Sequence, residues 1–482
     1  MDVEILSRIQ FAFTIAFHYI YPPLSIGLGV ILVIMEAMWM KTGLVRYHNM
    51  ARYWTRIFGL TFAIGVATGI VMEFEFGTNW ASYSRFVGDV FGSALAAEGI
   101  FAFFLEAGFL AILLFGWNKV GPKLHFFSTI MVCLGAHFSA VWIVVANSWM
   151  QTPAGFSIEY KGEIMPEGFT PTSDQILHSR AVIHDFWAMV FNPSSMDRLA
   201  HVLVGCWQAG AFLVISISAF YLLRGRHKEF ATSSLKIALT VAAIASVLQL
   251  VTGANSADGV TKNQPLKLAA MEGVFRTQSN APMAIVGWLD MEKEEMTGLE
   301  IPGMLSTLAG GSPEAVVTGL DAFPREDWPQ VQAIFQLYHI MIAIGMALIG
   351  VAWFGMVLWW RGWLFQLSNP IVRLYYFALV LSFLGPQIAN QAGWFTAEMG
   401  RQPWVVYNLM RTSEAFSAVI TANQVLGSLI MFSLIYALLF AVFIYVLTRK
   451  IQHGPDHEED NEEMPASWIA MMERRKQGKP TA

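Results

Sequence analysis

The chain has 482 residues, 55% of them hydrophobic and only 13% charged, with a formal net charge of −5. A soluble domain carries roughly 25% charged residues, so the composition argues against an ordinary water-soluble fold, and the small net charge argues against nucleic acid as a partner. Cys133 and Cys206 are the only cysteines and both lie in apolar stretches, so there is no disulfide framework, zinc pattern or CxxCH haem-attachment motif.

The apolar residues come in blocks of the ~20 residues that cross a bilayer. The start, MDVEILSRIQF, lacks the charged leader and small-residue cleavage site of a signal peptide, so the first block is expected to stay in the protein. In chain order the spans are expected near 11–38, 54–77, 92–117, 124–148, 198–223, 235–253, 334–360, 371–396 and 421–448. The fold class is therefore an all-α integral membrane protein of about nine transmembrane helices. Its expected parts are helices 1–6 within 1–253, a long outer loop at 254–333, helices 7–9 within 334–448, and a tail at 449–482. Pro22 and Pro23 lack an N–H, so the carbonyls of His18 and Tyr19 lose their helical partners and span 1 should kink there. Two inter-span segments are long. One, 149–197, is polar with Pro and Gly; the other, 254–333, holds the acidic stretch Asp290, Glu292, Glu294 and Glu295. Loops of this length are usually functional or disordered. The charged tail HGPDHEEDNEE reads as disordered.

An odd number of spans puts the termini on opposite sides, and basic short loops face the cytoplasm. The loops after spans 1, 3, 5 and 7 hold Lys41, Arg46, Arg52, Lys119, Lys123, Arg224, Arg226, Lys228, Lys236, Arg361 and Arg373, and Arg449 and Lys450 follow span 9. The N-terminus is thus expected outside and the C-terminus inside.

Ionisable residues within spans are costly and point to function. His18, His201, His339, Met341 and Glu398 fall in the outer third of four spans. His and Met are common axial ligands of haem iron, and His with a carboxylate also suits a non-haem metal. The bland alternative is helix packing, each histidine hydrogen-bonded to a neighbour. A deeper set comprises Glu98 and Glu106 on span 3, with His137 and Ser139 on span 4. Eight helical residues end about 80° past two full turns, so the two glutamates share a side. They read either as a proton relay or as a structural hydrogen-bond network. Glu73 and Glu75, at the outer end of span 2, read as solvated.

GRQPW at Gly400–Trp404, AGWFTAE at Ala392–Glu398, EFEFGTNW at Glu73–Trp80, AAEG at Ala96–Gly99, VANSWMQTP at Val145–Pro153 and KLAAMEG at Lys267–Gly273 occur in order along nearly the whole chain. Together they resemble subunit I of the cytochrome bd quinol oxidases, in the branch with a short outer loop. The resemblance implies a bacterial inner-membrane, multi-pass, haem-containing subunit of a terminal oxidase. It would oxidise quinol outside and reduce O2 to water with cytoplasmic protons, building a proton motive force without pumping. The implied cofactors are two haems b, one low-spin and one high-spin, and a haem d or a haem b in its place. His201 and Met341 match the low-spin ligands, while His18 and Glu398 match the ligands of the two high-spin irons. Relatives differ in which of those positions takes haem d. Trp394 matches a tryptophan between haems, Arg401 a propionate-binding arginine, and Lys267 with Glu272 the quinol-site pair. Glu98, Glu106 and Ser139 match the proton path. Implied partners are subunit II, a small single-span subunit, membrane quinol and O2. His339, two residues before Met341, stands where some relatives have arginine. It is either an alternative low-spin ligand or a proton acceptor near the quinol, and residues i and i+2 point about 200° apart, so one of the two faces a given haem. The competing readings are a polytopic transporter, which would place its site between repeats near the midplane, and a structural subunit without a redox cofactor.

Overall fold

A computed structural model describes residues 2–455. The part of the tail beyond 455, expected to be disordered, lies outside the described residues. Among the described residues, eight helices are long and apolar enough to cross a membrane, or nine when one bent pair is counted as a single span.

The first span is two helices, α1 (Val3–His18) and α2 (Tyr21–Thr42), broken at Tyr19–Ile20. The break sits where Pro22 and Pro23 leave the preceding carbonyls without amide partners, as expected. α3 (Val45–Thr78) follows, then α4 (Gly88–Ala97), a π-helical segment (Glu98–Phe103) and α5 (Phe104–Phe115). The third span is therefore not a uniform α-helix. Next come α6 (Pro122–Gln151), α7 (Ser195–Leu223) and α8 (Lys228–Asn263), which runs ten residues past its expected end. A short helix, α9 (Pro265–Glu272), precedes α10 (Val331–Trp360). The eighth span is α11 (Pro370–Leu381) and α12 (Leu384–Met399), bent by 43°. Pro386 explains the bend: it cannot bond Ser382 O, which accepts from Gly385 N at 3.1 Å instead. α13 (Ala422–His453) ends the described chain.

α7 is the central helix, buried along most of its length. It crosses α2 at two glycines: a Cβ on Gly210 would lie 2.3 Å from the Gly27 carbonyl carbon. Small residues at such crossings let helix backbones approach where lipid offers no hydrophobic drive.

Both long inter-span segments are folded and meet at one end of the bundle. Residues 156–183 form an antiparallel sheet of order β2-β1-β3, from β1 (Phe156–Tyr160), β2 (Glu163–Ile164) and β3 (Ser179–Ile183). The second segment contains a hairpin of β4 (Met283–Asp290) and β5 (Glu295–Ile301). The acidic stretch is its turn. Asp290 Oδ1 accepts from the backbone N–H groups of Glu292 and Lys293 at 3.0 and 3.1 Å, and Glu294 is clamped by Arg276 and Arg325. Both long segments thus contain paired strands.

Candidate functional site

Glu398, in the last turn of α12, is the centre of a polar cluster at the loop-bearing end. Its Oε2 accepts from Arg401 Nη2 at 2.5 Å and its Oε1 from Asn147 Nδ2 at 3.0 Å. Asn147 Oδ1 in turn accepts from Arg198 Nη2 at 2.5 Å, while Arg198 Nη1 donates to Ser148 Oγ at 2.9 Å. Lys267 Nζ donates to Gln151 Oε1 at 2.5 Å and Gln264 Oε1 at 2.6 Å. Two guanidinium groups and the Lys267 amine thus surround one carboxylate, and Lys267 and Arg401 are only 4% and 3% exposed. Burial, and then the charges of Arg198 and Arg401, hold the Lys267 ammonium well below the usual lysine range. Buried charge requires compensation, yet Arg401 Nη1 is buried without a partner. The cluster thus holds a buried guanidinium donor that the protein's own acceptors leave unmatched.

His18 closes α1 at the proline break, with Nδ1 3.0 Å from Thr68 Oγ1 of α3. His201 lies two turns into α7 and faces α8, where Thr252 Oγ1 is 3.3 Å and Gln249 Nε2 3.0 Å from Nδ1. Met341 lies on α10 facing α12. Beside each stands a glycine: a Cβ on Gly69 would be 3.2 Å from His18 Cε1, one on Gly253 3.3 Å from His201 Cε1, and one on Gly393 2.7 Å from Met341 Sδ. These clearances sit beside single donor atoms. Among the described residues, no three His, Cys, Asp or Glu side chains converge as a metal centre. A non-haem metal needs several protein ligands at once, whereas haem iron takes four from its ring and one or two from the protein. Separate axial donors, glycine clearances and unmatched cations for propionates all fit haem.

The deeper set is brought together. Ser139 Oγ donates to Glu98 Oε1 at 2.6 Å. Glu106, 6% exposed, packs on α6, where a Cβ on Gly135 would be 3.0 Å from its Cβ. Because a π turn holds more residues than an α turn, the segment from Glu98 winds less per residue and brings the two glutamates closer in angle than the α-helical count. His137 is locked: its Nε2 accepts from Trp207 Nε1 at 3.0 Å, which leaves Nδ1–H to donate to Cys133 O at 2.7 Å.

Lys267 and Glu272 are not in contact as a pair. Five residues apart on α9, they point to different sides. Lys267 joins the Glu398 cluster, and Glu272 faces the Tyr338 hydroxyl of α10. Glu272 is 6% exposed and its Oε2 is buried without a partner; burial pushes its carboxyl up to about 7. Gly273 ends α9 at a φ of 69°, where a Cβ would be 2.7 Å from Leu289 and press on Phe335. That positive φ suits glycine. His339 has both ring nitrogens on carbonyl oxygens, Nδ1 2.7 Å from Phe335 O and Nε2 3.1 Å from Ala284 O of β4. It is turned to the hairpin, which favours Met341 as the donor on this helix. Trp394 lies one turn before Glu398, its ring 4.9 Å from Phe395. Glu73 is exposed as expected, but Glu75 is not solvated: it is 1% exposed and accepts from Thr14 Oγ1 at 2.5 Å.

Sequence reasoning missed Arg198, Asn147, Gln151 and Gln264. Asn147 and Gln151 lie in the VANSWMQTP motif at i and i+4, a spacing that puts both on one helix face.

The family model described as cytochrome bd terminal oxidase subunit I matches residues 6–455. A cytochrome bd ubiquinol oxidase subunit 1 from Bacillus subtilis (strain 168) is 34% identical over 478 residues, covering 97% of each chain. A cytochrome bd-II ubiquinol oxidase subunit 1 from Escherichia coli (strain K12) is 34% identical, covering 94% of this chain and 97% of the relative. The solved bd oxidase from Geobacillus thermodenitrificans matches with a TM-score of 0.83 at 33% identity, covering 94% of this chain and 99% of that one. With its run of apolar helices, the protein is a multi-pass protein of the bacterial cytoplasmic membrane, and the chain belongs to the cytochrome bd terminal oxidase subunit I family.

Proposed function

We propose that this chain is the haem-bearing subunit of a terminal quinol oxidase that oxidises quinol at the outer face and reduces O2 to water with protons from the cytoplasm. Family membership supports the oxidase activity. The observation that carries the reading to the residues is the buried excess of cations around Glu398. His201 and Met341 would hold a low-spin haem b, and His18 and Glu398 the two high-spin haems, one b and the other d or b. When bound, the haems supply electron transfer and the reduction of oxygen. Arg401, Arg198 and Lys267 would supply guanidinium and amine N–H donors for propionate carboxylates, for which the planar fork of arginine is suited. Trp394 fills the space one helical turn from Glu398.

Quinol would meet the protein at the 264–330 segment, beside Glu272. A carboxyl with its pKa near 7 is partly ionised at neutral pH, so it can accept a hydroxyl proton and release it again. Lys267 lies on the other side of the same helix, where it links the quinol segment to the Glu398 cluster. Glu106, Glu98 and Ser139 would bring protons from the basic, cytoplasmic end to the loop-bearing end. Quinol protons leave outside and substrate protons arrive from inside, so charge crosses the membrane without a pump. The designation "subunit 1" of the relatives supports a subunit II as partner; a small single-span subunit would be a further one.

The test is a reduced-minus-oxidised visible spectrum and quinol-driven oxygen uptake of the purified complex. Haem bands with quinol-dependent uptake are expected. A colourless, inactive complex would return the chain to the transporter or structural reading.

A further inference from the structure

Near the basic end, α2 and α6 are joined by a buried polar contact that nothing above uses. Glu36 Oε1 lies 2.6 Å from His125 Nδ1, and Glu36 Oε2 accepts from Thr129 Oγ1 at 2.5 Å. Glu36, His125 and Thr129 are 1%, 0% and 1% exposed. Helix packing alone does not call for this chemistry: a buried ion pair is often no more stabilising than apolar residues of the same volume. An ionisable pair inside a span therefore points to function.

The placement is directional. His125, Thr129 and Cys133 recur every four residues along α6 and share the face toward α2, where a Cβ on Gly29 would be 3.4 Å from Cys133 Sγ. Glu106 packs on the next stretch of α6, at Gly135. The row would continue to His137, but both of its nitrogens are engaged, by Trp207 and by Cys133 O. A proton moving up this face therefore turns from Cys133 to Glu106, and on to Glu98 and Ser139.

We propose that Glu36, His125 and Thr129 form the cytoplasmic uptake end of the proton path that Glu106 and Glu98 continue. The inference rests on the proton-path reading above. His125 takes up a proton at Nε2 from the cytoplasmic side, three residues from the start of α6 at Pro122, and releases its Nδ1 proton to Glu36 across the 2.6 Å contact. Glu36 passes a proton to the Thr129 hydroxyl, which turns from Glu36 and releases its own to a bridging water on the Cys133 side, so one proton enters and one leaves. From Thr129 to the level of Glu106 is six residues, about 9 Å of helix, a gap for bridging waters. His48 and Trp117 flank the pair, with the Trp117 ring 3.9 Å from the His125 ring and 5.1 Å from that of His48.

The test uses the complete oxidase in liposomes, with E36Q, T129V and E106Q beside the wild type. Turnover, proton uptake with a trapped pH dye and the solvent deuterium isotope effect are followed. Glu36→Gln keeps the shape and hydrogen-bonding atoms of the pair but cannot carry a proton. Turnover and uptake are expected to fall tenfold or more in E36Q, with a larger isotope effect, unchanged haem bands and unchanged reduction of the haems by quinol. Thr129→Val leaves the Glu36–His125 pair intact and is expected to slow uptake severalfold; it decides the matter if E36Q does not assemble. If E36Q and T129V turn over within twofold of wild type while E106Q is slow, the pair is a structural staple and the proposal is wrong, though the path through Glu106 stands. If E106Q is also unaffected, the proton-path reading fails and this proposal with it.

Discussion

Arg401 donates to Glu398 Oε2 at 2.5 Å through Nη2, while its Nη1 is buried with no partner. The pair is thus half of a larger arrangement. Arg401 pairs with the carboxylate that is the candidate iron ligand, and one of its donors is left unmatched by the protein.

Replacing Arg401 by Gln should retain a hydrogen bond to Glu398 while removing the charge. Loss of a nearby cation disfavours the reduced, more negative form of a haem. The midpoint potential of the high-spin haem at Glu398 should drop, by about 60 mV if the redox equilibrium shifts tenfold, and haem retention should fall. Spectroelectrochemical titration checks this; an unchanged potential would remove Arg401 from the haem.

Glu272 should impose a pH dependence on quinol oxidation. Its carboxyl is raised from the usual value of 4.5 to about 7 by burial. As the base it must be ionised, so the rate should rise as pH rises through about 7, and Glu272→Gln should be slow and lose that inflection. The stability sign is opposite. A raised carboxyl pKa contributes stability that is full below the unfolded value near 4.5 and is lost as pH rises through about 7. Oxidation of an artificial electron donor by the variant should persist.

Glu106→Gln should lower turnover by about a hundredfold, the lower end for loss of a proton-transferring group, while haem content stays unchanged. Oxygen uptake by the purified variant measures it. Full activity would reduce Glu98, Glu106 and Ser139 to a structural network.

His339 and Met341 can be separated by substitution. Met341→Leu should abolish or strongly shift the low-spin signature, whereas His339→Leu should leave it in place. The reason is the orientation of His339, whose two nitrogens are held at Phe335 O and Ala284 O. A lost low-spin band in His339→Leu, with Met341→Leu unaffected, would reverse the assignment.

Much of this was legible before the fold. The spans followed from apolar block length, and the break after His18 from two consecutive residues without an N–H. Pro386 carried the same signal for the bend of the eighth span, but an isolated proline inside an apolar run was passed over. The π segment at Glu98 left no trace in composition, because backbone winding depends on the packing of α6 against it. Glu75 looked solvated by its place at a helix end, yet Thr14 of the first helix covers it, a contact 61 residues away in sequence. Arg198 was hidden for a related reason. A cation at the start of a span reads as an interfacial anchor until Asn147 and Glu398, from two other helices, are seen around it.

The central claim is that single side chains on separate helices hold the haems, and His201 tests it most directly. In the reduced-minus-oxidised spectrum of the purified complex, His201→Ala should lose the low-spin haem b band while the high-spin bands from the His18 and Glu398 sites remain. A spectrum identical to wild type would contradict the account.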